Sequence, residues 1–253
     1  GHISYVIPGE NNSIHAYCST QHPSEMQQLV SHTLDIDASR VTVEIRRMGG
    51  GFGGKESQSA GFVCIAAVCA NSLQRPVKMR LDRDDDFLIT GKRHPFNYQY
   101  LVGFDDSGLI QAARIEMVAN AGFSTDLSPP VAARAACHFD NAYYLSDVDI
   151  KVYCAKTHTQ SNTAFRGFGG PQGALAIEYI IDNIARELGR DPLEIRKRNF
   201  YGINERNLTP YQQRVEDNVM LELVEQLEAG SDYQARRQEV QSYNVQSPIL
   251  KKG

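Results

Sequence analysis

Five glycines occupy six positions in Gly49-Gly-Gly-Phe-Gly-Gly54. So dense a run of residues without a Cβ marks a place where the backbone takes positive φ or lies against another group. Upstream, Val41, Val43 and Ile45 alternate with Thr42, Glu44 and Arg46, the pattern of a half-buried strand, and downstream Ser57 to Leu73 reads as a helix. The unit is strand, glycine-rich loop, helix. A loop of this kind turns unpaired N–H groups outward, and the helix start adds its positive end, so the place suits an anion such as phosphate. A plain turn needs one or two glycines, not five around an apolar Phe52. Part of the block then returns: Gly51-Phe52-Gly53-Gly54 recurs as Gly167-Phe168-Gly169-Gly170, again ahead of a helix. Two loops facing one bound molecule are expected.

Composition narrows the function classes. Of 253 residues 42% are apolar and 22% charged, an ordinary globular balance, and the net charge of −4 with dispersed Lys and Arg gives no basic field for nucleic acid. Cys18, Cys64, Cys69, Cys137 and Cys154 are odd in number and sit in apolar or strand-like runs, which reads as small hydrophobes in a reducing compartment. No C-x-x-C, H-x-x-x-H or H-E-x-x-H spacing supports a zinc or iron–sulfur site. The longest apolar run, Phe62 to Ala70, is far below the roughly 20 residues that span a bilayer. With no signal peptide visible, a cytoplasmic location is the default. The absence of a starting methionine suggests a cut fragment.

Along the chain, a strand over Ser13 to Thr20, a helix from Pro23, the strand at Val41, the helix to Leu73 and a strand over Val77 to Leu81 give a β-α-β-α-β unit. The Ala-rich helix is apolar on nearly all sides, as if buried between layers. Asp82 to Asp86 reads as a solvated helix start. Pro95 to Phe104 and Leu109 to Ala121, joined by Asp105-Asp-Ser-Gly108, read as a long hairpin that serves as scaffold. A short helix over Val131 to Phe139 carries Arg134, a strand covers Asp149 to Lys156, and a helix runs from Gln172 to a stop at Gly189. Pro192 to Asn199, Val219 to Glu228 and Tyr233 to Tyr243 read as surface helices. The expected class is α+β, mixed sheets with packed helices. Residues 1–253 read as one region with a helical, frayed end from about 215.

Gly49-x-Gly51-x-x-Gly54 satisfies a dinucleotide fingerprint, which keeps an NAD-binding dehydrogenase as an alternative, although Thr42, Glu44, Arg46 and Arg47 interrupt the apolar strand such a sheet wants. Gly54-Lys55 also approaches a phosphate loop, but Glu56 stands where Ser or Thr should hold magnesium. Neither motif explains why G-F-G-G occurs twice.

The blocks R-R-M-G-G-G-F-G-G-K-E (46–56) and N-T-A-F-R-G-F-G-G-P-Q (162–172) resemble those of the molybdenum hydroxylases, in their xanthine-oxidising branch. S-T-Q-H-P at 19–23, L-I-T-G-K-R-H-P-F at 88–96 and A-A-R-A at 132–135 extend the likeness over nearly the whole chain. The resemblance implies a first molybdenum cofactor-binding domain that takes molybdenum-molybdopterin, with FAD and [2Fe-2S] on other domains or subunits of an oligomeric complex. By position it implies cofactor contacts from Gln21, Gly51, Phe52, Gly53, Arg166, Gly167, Phe168 and Gly169. Gln21, Phe52 and Arg166 come nearest the metal. Glu56 and Arg134 match the pair that grips a purine and takes part in catalysis, and Phe168 matches the ring that packs on it. Aldehyde-oxidising relatives usually lack that Glu and Arg pair. The family's glutamate base lies in a later part of the subunit, so this stretch alone is expected to be inactive.

Overall fold

A computed structural model describes all 253 residues, which divide into two compact units. One comprises Gly1–Tyr100, Arg114–Phe139 and Asp149–Ala176; the other comprises Leu101–Ala113, Asp140–Val148 and Ile177–Gly253. The chain opens with strands β1 (Ile3–Pro8) and β2 (Ile14–Cys18), helix α1 (Pro23–Leu34), strand β3 (Val41–Glu44), helix α2 (Ala60–Leu73) and strand β4 (Val77–Arg80). The expected β-α-β-α-β unit is therefore β2-α1-β3-α2-β4. Sequence reading missed β1, which takes the place between β2 and β4: the sheet order is β3-β2-β1-β4. β1 is antiparallel to both neighbours, and β2 and β3 are parallel.

Alternation sets the faces. Val6, Ile14, Ala16 and Cys18 point to one side and bury against Met26 and Val30 of α1 and Val63, Ala66, Ala67 and Ala70 of α2. Pro23 opens α1 at its first turn, and Asp35 closes it in the left-handed region at φ 53°. α2 departs from expectation twice. It begins at Ala60 because residues 52–59 form turns, and only its small-residue face is buried, leaving Ile65, Val68 and Leu73 exposed at 52, 42 and 63%.

Helix α3 (Arg83–Ile89) starts at an Asp82 carboxylate that accepts from the Asp85 amide, as the acidic cluster suggested. The hairpin forms as β5 (Phe96–Phe104) and β6 (Ile110–Gly122). The Asp105 carboxylate accepts from the amides of Ser107 and Leu109, and Gly108 takes φ +82°. Helix α4 (Ser128–Ala136) begins ahead of the expected Val131, with Pro129 in its first turn. Strand β7 (Val148–Lys156) completes a second sheet ordered β5-β6-β7.

Helices α5 (Gly170–Leu188), α6 (Pro192–Asn199), α7 (Met220–Gly230) and α8 (Tyr233–Gln246) end the chain. The second unit packs Ile177, Ile180, Ile181 and Ile184 with Ile195 and a Tyr143–Phe200 stack whose ring centroids are 5.7 Å apart. α6 is not a plain surface helix: Ile195 and Asn199 are fully buried, whereas α7 and α8 bury no residue. All five cysteines are free, and only Cys18 is in the core; Cys69, Cys137 and Cys154 are exposed, so for these three the small-hydrophobe reading fails. No helix is long and apolar enough to cross a membrane.

Asn199 is the polar keystone of the second unit. Its Nδ2 donates to the carbonyls of Gly108 (2.8 Å) and Ile195 (2.9 Å), and its Oδ1 accepts from the Ile110 amide (2.9 Å). Asn199→Ala leaves buried backbone groups without partners and should destabilise the chain by about 3 kcal/mol, read as a lower urea midpoint at unchanged m-value.

Candidate functional site

The central Phe-Gly of the repeated G-F-G-G takes the same conformation twice, although Gly167 also has positive φ (+96°) where Gly51 does not. Phe52 and Gly53 take φ +52° and +92°, Phe168 and Gly169 take +51° and +104°, and the Gly54 and Gly170 amides each donate to the carbonyl three residues back at 2.9 Å. Positive φ at both central positions is the type I′ turn. Placing an aromatic residue there costs about 1–2 kcal/mol, which persists only where the surroundings impose it. The geometry projects the ring of Phe52 outward, 61% exposed, and leaves Phe168 half-buried.

Both turns sit where a Cβ has no room. A Cβ on Gly53 would lie 2.8 Å from the Ala164 carbonyl carbon and 3.0 Å from the Phe165 nitrogen, so the first turn rests on the backbone that leads into the second. A Cβ on Gly169 would strike the Val131 carbonyl and lie 2.9 Å from the Ala135 nitrogen and 3.1 Å from the Arg134 Cβ. The second turn thus rests on α4 at the residue expected to meet substrate.

Gln21 holds the first turn. Its Oε1 accepts from the amides of Gly53 (2.8 Å) and Lys55 (3.4 Å), its own amide donates to the Lys55 carbonyl (2.7 Å), and its side chain fills the space a Cβ on Gly51 would take. With Oε1 engaged, Nε2 is the end that can donate outward. Thr20 Oγ1 adds a bond to the Lys55 carbonyl at 3.1 Å.

This narrows the expectation of a loop that turns unpaired N–H groups outward. The amides of Gly53, Gly54, Lys55 and Glu56 are satisfied inside the protein, as are those of Phe168 and Gly170; the amides of Gly49 to Phe52 in the first loop and of Arg166, Gly167 and Gly169 in the second have no internal partner. The helix that follows the first turn starts only at Ala60, so no helix dipole adjoins it, whereas α5 begins directly after the second at Gly170. The dinucleotide alternative fails on the same point, because it needs the glycines at a helix N-terminus.

Two residues without an assigned role join the site. Arg93 donates through Nη2 to the Arg166 carbonyl (2.8 Å) and lies over the Phe165 ring at 4.6 Å. It falls within the 88–96 block, which marked the stretch but not the side chain. Asp126 accepts from Ser57 Oγ and Gln58 Nε2, both at 2.5 Å. Nothing in the local sequence pointed to it, since all its partners lie more than sixty residues away in the chain.

Glu56 is half-buried and follows the first turn. Burial pushes its carboxyl above the ordinary value; His22 opposes the rise, while Asp126 and Glu25 add to it. Arg134 is exposed, and its Nε donates to His138 Nε2 (3.3 Å), not to Glu56. The first unit so brings together an amide side chain, open backbone amides from both loops, two exposed guanidinium groups, Arg134 and Arg166, an acid of raised proton affinity and two aromatic rings. That set can hold an anion or an oxygen-rich group beside a planar polar molecule.

Residues 1–200 match the molybdopterin cofactor-binding domain family. Xanthine dehydrogenase of Calliphora vicina is 43% identical over 252 residues, covering 100% of this chain and 18% of the relative. Nicotinate hydroxylase of Emericella nidulans is 38% identical over 245 residues, covering 96% of this chain and 18% of the relative. This chain thus spans under a fifth of the length of such relatives. Among solved structures, the aldehyde oxidoreductase of Desulfovibrio gigas superposes with a TM-score of 0.85 at 23% identity, over 95% of this chain and 26% of that one. Quinoline 2-oxidoreductase of Pseudomonas putida 86 gives 0.83 at 23%, over 96% and 32%. The last two likenesses concern the fold.

Two outcomes follow. Gly169→Ala should destabilise the protein by more than about 2 kcal/mol through clash and positive φ, while Gly61→Ala, in open space on α2, should stabilise it by up to about 1 kcal/mol; urea titration of both separates tight approach from generic loss of glycine. For Glu56 the folded value lies above the unfolded one, so the stability it contributes is present below the ordinary carboxylate range and lost as pH rises through the folded value. Glu56→Gln should therefore have the higher melting temperature near neutral pH, with the gap closing toward about pH 4.

Proposed function

The chain belongs to the molybdopterin cofactor-binding domain family, and on that premise we propose that it is the first cofactor-binding part of a purine-oxidising molybdenum hydroxylase of the xanthine dehydrogenase kind. The observation that carries the reading is the placement of Glu56 directly behind one G-F-G-G turn and of Arg134 against the other.

The residues present fit a molybdenum-pterin group. Gln21 Nε2, the amides of Phe52, Arg166 and Gly167 and the Arg166 guanidinium are donors without an internal obligation, which is what an oxygen-rich, anionic group requires. When bound, such a group supplies the two-electron oxidation of a heterocyclic carbon, and electrons would leave through [2Fe-2S] and FAD on other domains or subunits.

The chain's own side chains orient the substrate. The Phe168 ring offers a face on which a planar heterocycle packs. The Glu56 carboxylate can accept a hydrogen bond from a purine N–H. Arg134 places a permanent positive charge where negative charge would grow on the ring as an oxygen nucleophile adds to its carbon. A site built this way rejects molecules that cannot answer its polar groups. The family's general base would come from elsewhere in the parent protein, so the 253-residue chain alone should neither oxidise xanthine nor retain molybdenum at one equivalent.

The similarity to a nicotinate hydroxylase at 38% identity supports a second reading, in which the heterocycle is not a purine. Kinetics in the complete parent protein decide between them. Arg134→Met should lower kcat for xanthine by roughly 10² or more, and Glu56→Val should lower kcat/KM for xanthine while admitting an aromatic aldehyde, both at parental molybdenum content. Parental xanthine turnover in both variants sinks the purine reading; efficient nicotinate oxidation with negligible xanthine oxidation selects the second.

A further inference from the structure

We propose that Asp126 is a positioning residue for substrate recognition, tying the segment that carries Glu56 to the segment that leads into the Arg134 helix and so fixing the spacing of the two. This rests on the reading of Glu56 and Arg134 as the pair that grips the substrate. The two residues behind Glu56 direct their donors at one carboxylate: Ser57 Oγ reaches Asp126 Oδ1 and Gln58 Nε2 reaches Oδ2, each at 2.5 Å. Asp126 is half-buried, stands two residues before α4 and takes φ +42°.

The hub reaches further. Gln58 Oε1 accepts from the Gly91 amide (2.8 Å), and Ser57 Oγ lies 3.3 Å from Thr163 Oγ1, just ahead of the second glycine turn. One carboxylate thus joins the end of the first turn to the start of α4 and, through Ser57, to the approach to the second turn, all within the first unit. Its hydrogen bonds come from the uncharged side chains of Ser57 and Gln58, and it lies beside Glu56, which also faces His22 and Glu25 from the start of α1.

The residue type matters for a chemical reason. A short side chain with two acceptor oxygens takes both donors at once; asparagine tolerates the same backbone but offers one acceptor and turns an N–H₂ toward the other donor, and alanine offers neither. Asp126 touches no substrate in this account. It acts through Glu56, because a displacement of about 1 Å in a positioned group can lower turnover by up to roughly 10²-fold.

The experiment uses the complete, cofactor-loaded parent protein carrying Asp126→Asn, Asp126→Ala, Ser57→Ala and the Asp126→Ala/Ser57→Ala double variant. It reads molybdenum content, hydrogen exchange of peptides spanning 51–58 and 124–134, and xanthine kinetics. The expected result is parental molybdenum, faster exchange confined to those two peptides, and kcat/KM lower by roughly tenfold or more in Asp126→Ala with a milder loss in Asp126→Asn. The double variant should lose no more than Asp126→Ala alone. Parental exchange, strictly additive losses, or exchange raised throughout the protein with loss of molybdenum each overturn the proposal. Glu56→Val separates the two levels: parental turnover there sinks the reading of Glu56, whereas impaired Glu56→Val beside parental Asp126→Ala sinks the positioning role alone.

Discussion

The structure around the site depends on backbone lying directly against backbone at Gly53 and Gly169. At each point a single Cβ would collide with main-chain atoms, of Ala164 and Phe165 in one case and of Val131 and Ala135 in the other. Main chain cannot swing aside as a flexible side chain can, so these contacts fix the first turn on the approach to the second, and the second on α4. Arg134, Arg166 and the two Phe rings inherit their positions from that stacking. The type I′ conformation is the means: positive φ at two successive residues reverses the chain within four positions and leaves the flat face of the turn available for contact.

Within this frame the polar groups divide cleanly between internal and external duties. Gln21 gives its carbonyl to the first turn and keeps its amide; the amides of residues 53–56 close the turn, while Phe52, Arg166 and Gly167 keep theirs. Arg93 does comparable work for the second turn by binding the Arg166 carbonyl and covering Phe165. A glycine-rich loop is not a uniform surface of donors. The N–H groups of residues 53–56 maintain its shape, and a ligand can meet only those that precede them.

Legibility followed the range of the interaction. The strand and helix periods around Pro23 to Leu34, the hairpin at Asp105 to Gly108 and the helix stop at Gly189 are written in local pattern and turn chemistry, and each formed where expected. The failures were long-range. β1 was passed over because the alternation in Ile3 to Pro8 has meaning only once β2 and β4 flank it. α2 looked buried on all sides because composition counts apolar residues without knowing that only one face meets a sheet. α6 looked like surface because its one fully buried polar residue, Asn199, is satisfied by Gly108, ninety-one positions away.

The amino-acid sequence by itself determined the α+β class, the doubled glycine turn and, through whole blocks of likeness, the family and the residues to examine. Glycine density and repetition are covalent facts, and they constrain the backbone wherever the chain goes. Tertiary structure alone decided which amides remain for a ligand, that Asp126 and Arg93 belong with the site, and that the Glu56 carboxyl sits among His22, Glu25 and Asp126. Each of these depends on which distant segments share a volume, and distance in space has no local counterpart in the order of residues.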